Sequence, residues 1–420
     1  MKVGRWLTWG LFALVLVLAP VVFSGGFGTT VLSQMGIAII ACLSYNILLG
    51  QGGMLSFGHA VYTGLGSFLA IHALKGVNDG WLSIPVSAVP LVGGLAGIGF
   101  AVLFGYVTTR KSGTTFAMIT LGLGELVFAL SLMIPEFFGG EGGVSADRMA
   151  GEPFMGITYG PQLQVYYLIA AYTFVSVALM FAFTQTPLGR MLNAVRDNPE
   201  RVEFVGYDTQ RVRYYAFIIA GFFAGISGGL GAISFEIVTA EVVGAARSGG
   251  YLLFTFLGGA TFFFGPIIGG ILMVLAFVLL SEFTQAWLLY LGLIFVLMVM
   301  YAPGGIASLI MMNVRVAVFG RLRELLGSYA LLTVTGLVML AGLGALIEMT
   351  YHIQLSTTFG SELVFLGVPL DVNTVGSWLG AAALALVGFG LFEWARRGFA
   401  IKWGVVQEHI EQEIKRRESQ

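Results

Sequence analysis

Residues 251–280 read YLLFTFLGGATFFFGPIIGGILMVLAFVLL. No side chain in this stretch is charged, so it belongs in hydrocarbon. It is too long for one ordinary crossing, which needs about 20 apolar residues. It is also interrupted at Gly265-Pro266, because proline lacks an amide donor and disfavours helix in the residue before it. As a single span, it would move everything after it to the opposite side of the membrane. As two short segments that each cross or dip, it leaves the sides unchanged.

The positions of Lys and Arg decide between these readings, because cytoplasmic loops carry an excess of both. The other candidate spans lie near 7–23, 31–50, 54–74, 84–107, 114–134, 163–183, 214–235, 286–301, 330–349 and 376–394. With the N-terminus inside and the stretch divided, 18 of the 21 basic residues fall in inside loops. Lys75, Arg148 and Arg247 are the exceptions. Undivided, the stretch would send the nine basic residues from Arg315 onward outside. The sequence therefore predicts an all-α, polytopic membrane bundle of about 10–12 segments, some short or re-entrant, with both termini cytoplasmic. Residues 7–23 also fit a signal-peptide core with Ser24-Gly25-Gly26 as its small-residue site. An uncleaved first helix is preferred, because another apolar span follows almost at once.

Composition agrees with membrane embedding. Of 420 residues, 57% are hydrophobic and 10% charged, too few charges to cover a soluble fold of this size. The net charge of −1 indicates neither a nucleic-acid partner nor an acidic substrate. The single Cys42 can form neither an internal disulfide nor a cysteine-based metal site, and His59, His72, His352 and His409 lack metal-ligand spacing. None of the five lysines follows a glycine, so the phosphate-cradling loop of ATPases is missing. Any ATP and magnesium would be held by another subunit, and no cofactor or metal is expected on this chain. Gly225-Ile226-Ser227-Gly228-Gly229 matches the hydrolase nucleophile pattern, but it lies in an apolar helix with no strand before it. No catalytic residue is expected on this chain.

Small residues recur at helical spacing. Gly221, Gly225 and Gly229 form one row, with Ala224, Gly228 and Ala232 beside it, and Gly93 and Gly97 repeat the pattern. Such rows let helix backbones approach closely and would permit sliding between states. The inside segment 184–213, TQTPLGRMLNAVRDNPERVEFVGYDTQRVR, is longer than a connection requires. Leu188, Met191, Leu192 and Val195 share one helical side, and Asp197-Asn198-Pro199 reads as a stop and a new start. The outside loop near 135–162 is rich in glycine and in acid, including Glu136, Glu141, Asp147 and Glu152. It is either a solvated loop or a docking surface.

Residues 1–313 are read as a transmembrane core and 314–420 as an extension with two further spans. In the extension, Val314, Val318, Leu322 and Leu325 are placed on one face of a short basic helix. Phe399, Trp403, Val406, Ile410 and Ile414 line one face of a cytoplasmic amphipathic tail, set against the membrane surface or a partner. Two polar groups fall at membrane depth. Glu125 sits mid-helix and His59 opens the third span. Each is either a structural hydrogen-bonding group or a pathway group.

Several segments together resemble one family. Tyr45–Ala70, YNILLGQGGMLSFGHAVYTGLGSFLA, and Thr115–Val127, TFAMITLGLGELV, are similar to signatures of branched-chain amino acid ABC importer permeases of the LivM/LivH type. Phe138–Ser145, Pro187–Gly229, Leu257–Gly270 and Ala302–Leu309 follow in the matching order. Thr261 and Phe262 depart from the family's second small pair and put the substrate in question. The resemblance implies one half of an ATP-driven importer in a bacterial inner membrane. Its partners would be a second permease, two ATPase subunits and an external solute-binding protein, with branched-chain or related amino acids as cargo. It also implies that Gly189–Pro199 couples to an ATPase cleft, with Arg190, Arg196, Asp197 and Asn198 at the contact. Glu125, His59, Gly265 and Pro266 are the pathway or gating candidates, and Gly221, Gly225 and Gly229 the packing ones. The residues alone also admit an ion-coupled secondary transporter in which Glu125 and His59 relay protons.

Overall fold

The computed structural model describes residues 2–23, 25–149, 156–355 and 362–418. Ser24 and Glu152 lie outside the described residues. The chain packs as two compact units, 1–278 with 295–308 and 279–294 with 309–420. Eight helices among the described residues are long and apolar enough to cross a membrane, and a further pair is bent by 50° at a short break.

The first unit opens with α1 (Lys2–Val22) and α2 (Gly26–Asn46), which a π-helical turn prolongs over Ile47–Gln51. There follow α3 (Ala60–Asn78), α4 (Val89–Thr108), α5 (Gly113–Met133) and α6 (Gln162–Gln185). Two short helices, α7 (Pro187–Asp197) and α8 (Pro199–Phe204), precede the long α9 (Thr209–Phe235). The third span begins later than the sequence reading had it. Gly53 has a φ of +63°, which stops the preceding helix, and residues 52–59 run as irregular backbone before α3.

The break read at Gly265-Pro266 is observed, but only the first of the two segments is short: the second runs from Gly265 to Phe283 and is long enough to cross. α10 (Ala245–Gly258) has 14 residues, about 21 Å of rise and too short to cross. Gly259 turns at φ +113°, and α11 (Gly265–Val274) starts with Pro266 in its first turn. The two helices lie side by side: Phe254 meets Phe277, in the π-helical turn Leu275–Leu280 that prolongs α11, edge to face at 5.6 Å. A Cβ on Gly269 would fall 2.8 Å from the Phe254 carbonyl carbon. At the tip, Phe263 packs on Phe181 at the end of α6, with ring centroids 5.2 Å apart. The tip therefore lies at the same end of the unit as α7. At the opposite end, Val144–Ser145 (β1) pairs antiparallel with Ile237–Val238 (β2).

α9 is the axis of this unit. A Cβ on Gly229 would sit 2.7 Å from Pro90 Cα, and one on Gly225 3.0 Å from Gly94 Cα. From the other side, a Cβ on Gly66 would fall 2.6 Å from Gly225 Cα. The obstacles are backbone atoms, which cannot turn aside as a side chain can. The second row also engages: Ser67 donates to the Gly228 carbonyl at 2.9 Å, and Ser227 to that of Ile37 at 3.0 Å.

α12 (Trp287–Tyr301) follows, and its bend leads into α13 (Gly305–Val318). The second unit then adds α14 (Leu322–Leu355), the hairpin β3 (Glu362–Phe365) and β4 (Val368–Asp371), and α15 (Val375–Glu418). The tail is not separate, because α15 continues unbroken to Glu418. Its apolar face, with Val406 and Ile410 buried, packs on Val316 and Leu325 of the same unit. The face read as Val314, Val318, Leu322 and Leu325 is corrected. Gly320 turns the chain at φ +72°, so these residues are split between α13 and α14, and Val318 is exposed.

Replacing Gly225 with Leu is expected to destabilise the bundle by about 1–3 kcal/mol or more, as overpacking against a backbone does. Gly99, where an added Cβ meets nothing within 4 Å, serves as control: Gly99→Ala should leave the unfolding midpoint in detergent unchanged or slightly raised. Equal midpoints for both variants would remove α9 from its role as axis.

Candidate functional site: a basic helical hairpin and an intramembrane cavity

α7 and α8 form a helical hairpin whose start and stop signals all engage. Thr186 caps α7 by accepting from the Gly189 amide at 3.2 Å. Gly189 is buried, and a Cβ there would fall 3.0 Å from Thr184 Cα. Leu192 and Val195 are buried, so the apolar side read from sequence is the packed one. Asn198 ends α7 and caps α8, accepting from the Arg201 amide at 3.1 Å, with Pro199 in the first turn.

The two arginines of α7 differ. Arg190 is exposed. Arg196 donates one guanidinium nitrogen to the Gly50 carbonyl and pairs with Asp197 at 2.9 Å. Its stem packs on Gly53, where an added Cβ would fall 2.7 Å from Arg196 Cγ. Arg196 thus fastens the hairpin to the end of α2, while Asp197 stays exposed. Beyond them, Phe204 (89% exposed) and Val205 (73%) form an apolar tip, with Tyr207 half-exposed beside it. The sequence reading missed this tip. Its only signal is two adjacent apolar residues between Glu203 and Gly206, in a segment otherwise full of charge.

The intramembrane candidates are not brought together. His59 is fully buried, with its ring edge to face against Tyr45 at 5.1 Å. Ser44 donates to the Ala41 carbonyl at 2.7 Å and lies 2.9 Å from His59 Nε2. His59 Nδ1 has no hydrogen-bond partner among the described residues. Glu125 instead lies exposed on the outer face of α5, among Met118, Leu121 and Leu126. No hydrogen-bonded route joins it to His59 among the described residues. Gly265 and Pro266 begin α11 at the hairpin tip. A Cβ on Gly265 would fall 3.0 Å from the Gly258 carbonyl, so the residue closes the tip by backbone contact.

A cavity of about 110 Å³ lies between α2, α3, α9, α10 and α11, towards the end that carries β1 and β2. Its polar lining includes Gln34, Thr63, Ser67, Ser227, Arg247 and Tyr251. Ile37, Val242, Met273, Val274 and Phe277 supply much of the rest. Sequence reasoning registered Arg247 only as a basic residue on the minority side. Among the described residues no group of three or more His, Cys, Asp or Glu side chains is placed to hold a metal.

A family model described as the permease component of branched-chain amino acid transport systems matches residues 28–303. Two relatives carry the description of LivM permease proteins of high-affinity branched-chain amino acid transport systems. They come from Escherichia coli strain K12 and Salmonella typhimurium strain LT2. Each is 29% identical to this chain over 64% of its length and 67% of theirs. No solved structure matches.

The two ionisable candidates should separate in stability measurements. His59→Ala removes a sealed ring and is expected to cost about 3–5 kcal/mol, in the range of large-to-small core changes. Glu125→Gln should stay within about 0.5 kcal/mol of the parent, as exposed substitutions do. Thermal unfolding in detergent reads both, and a costly Glu125→Gln would show that the carboxylate is engaged within the chain.

Proposed function

The chain belongs to the family of permease components of branched-chain amino acid transport systems, and from that premise we propose that it is one of two permease halves in an ATP-driven importer. Branched-chain or related amino acids are the cargo, and the setting is a bacterial inner membrane. The motor is a pair of ATPase subunits, and an external solute-binding protein delivers substrate. The observation that carries this reading is the apolar tip Phe204-Val205 on a basic helical hairpin. Exposed apolar residues of this size are costly in water, and a groove on an ATPase subunit would cover them.

Charge supports the orientation. Arg110, Lys111, Arg190, Arg196, Arg201, Arg211 and Arg213 gather near the hairpin end, so that end faces the cytoplasm. α10 then enters from the outer side, and the cavity lies in the outer half. The external Gly-rich loop is stitched down on that side. Arg148 donates to the carbonyls of Ile233, Ser234 and Gly160 at 3.2–3.4 Å, and its amide donates to Glu236 at 3.0 Å.

Glu125 completes the assembly argument. A carboxylate at mid-span on a face that this chain leaves open is expensive against lipid. The second permease subunit covers that face of α5 and supplies the donor or the water-filled path. ATP binding and hydrolysis on the ATPase subunits, acting through the hairpin, would then move the bundles as rigid bodies between inward-open and outward-open states.

In membranes carrying the full transporter, Phe204→Asp is expected to abolish co-purification of the ATPase subunits and to lower uptake at least tenfold, with membrane insertion intact. Glu125→Ala should lower uptake more than Glu125→Gln. Uptake by this chain alone, driven by an ion gradient and indifferent to ATP, would replace this reading with the secondary-transporter one. Normal transport by both Glu125 variants would remove the α5 face from the pathway.

A further inference from the structure

The cavity in the outer half of the first unit holds a guanidinium with no counterpart. Arg247 lines it from the first turn of α10, and among the described residues no hydrogen bond or ion pair engages its side chain. Arg148, the other arginine on this side of the bundle, shows what a structural arginine looks like here: its guanidinium reaches three carbonyls and Gln162 Oε1. An arginine stays charged in any protein setting, and taking such a charge partly out of water without a partner is costly.

Its position sharpens the point. The N-terminal end of a helix carries partial positive charge, so a cation in that turn is unfavourable and an anion is favoured. α10 has no acidic residue in its first turn. Helix terminus and guanidinium therefore place two positive contributions at one wall of the cavity, with no acidic side chain among the described residues bonded to either. Tyr251 follows Arg247 by one helical turn and also lines the cavity. Gln34 on α2 lines it too, and its amide has no hydrogen-bond partner among the described residues. The remaining wall offers hydrocarbon, with Ile37, Val274 and Phe277.

We propose that this cavity is a substrate subsite that takes a small carboxylate with a hydrocarbon side chain, such as an aliphatic α-amino acid, with Arg247 as the carboxylate anchor. A planar guanidinium binds a carboxylate through two parallel hydrogen bonds. The Gln34 amide offers an acceptor for the substrate ammonium, and the apolar wall receives the side chain. The proposal rests on the permease reading and places a point of recognition inside the membrane, apart from any external binding protein.

The test is equilibrium binding of radiolabelled L-leucine to the full chain in lipid nanodiscs, with isovalerate and L-leucinamide as competitors. Leucine should bind saturably, isovalerate should compete, and leucinamide, which lacks the carboxylate, should not. Arg247→Gln should weaken binding at least tenfold and Arg247→Lys less, since lysine keeps the charge but loses the fork. Gly231→Leu, whose added Cβ meets nothing within 4 Å on the cavity lining, should also weaken it without disturbing the fold.

Absence of saturable binding to the parent chain would overturn the proposal. So would equal competition by leucinamide, or unchanged affinity in Arg247→Gln. Loss of leucine binding when anionic phospholipid is added to the nanodisc would assign Arg247 to lipid phosphate and overturn it as well. Binding that behaves as expected in a chain that fails to support ATP-dependent uptake would leave the subsite standing and overturn the permease reading alone.

Discussion

Inside a bilayer a peptide group has no water to bond, so irregular backbone survives only where protein encloses it. Residues 52–59 leave the helix within the first unit and meet that condition through specific partners. Tyr45 donates its hydroxyl to the Ser56 carbonyl at 2.9 Å. The Phe57 amide donates to Thr120 Oγ1 at 3.1 Å, and the Ala60 amide to Ser248 Oγ at 3.0 Å. Three helices, α2, α5 and α10, are thereby tied to one unwound segment. This explains why small hydroxyl residues stand at Ser248 and Thr120, where helix packing alone would accept any small side chain.

The glycine rows follow from the same constraint. Lipid tails are as apolar as leucine, so helices in a membrane gain little from hiding hydrocarbon from one another. Close van der Waals packing and interhelical hydrogen bonds must supply the association. α9 achieves this by presenting backbone to backbone against α3 and α4, which also brings Ser67 within reach of the Gly228 carbonyl. The second unit reaches its stability differently. Glu348 on α14 accepts from Thr284 and, at 3.1 Å, from the Tyr290 hydroxyl. An aromatic cluster of Tyr329, Phe399 and Trp403 fastens α15 to α14, with centroids 5.0 and 5.7 Å apart.

The sequence exposed what depends on averages and local rules. Apolar runs located the spans, the proline break divided 251–280, and cap residues marked the α7–α8 hairpin at Thr186 and Asn198. It did not expose what depends on which neighbour each face meets. The start of α3 is delayed because Gly53 adopts a positive φ and hydroxyls from other helices support the unwound backbone, none of which shows in a hydropathy pattern. Arg196 looked like a surface contact, but only the fold brings the Gly50 carbonyl to it. The apolar face of the tail was legible, but not its partner, because a stripe of Trp and Ile does not say what covers it. Arg247 was counted as an exception to a charge rule, and its significance appears only when the cavity beside it is seen.

These elements also bear on how a motor at one end of the bundle could act on a site in the other half. Arg196 binds α7 to the Gly50 carbonyl, and the Ala260 carbonyl, at the turn between α10 and α11, lies against Gly50 itself. The tip is held in turn by Gly305, where an added Cβ would fall 2.5 Å from Gly259 Cα. From that tip α10 rises without a break to Arg247 at the cavity wall. A helix transmits an axial displacement along its whole length, whereas a loop absorbs it. In the proposed transporter, a shift of α7 therefore has one packed route to the cavity, and glycine contacts line that route because a side chain at any of them would hold the two backbones apart.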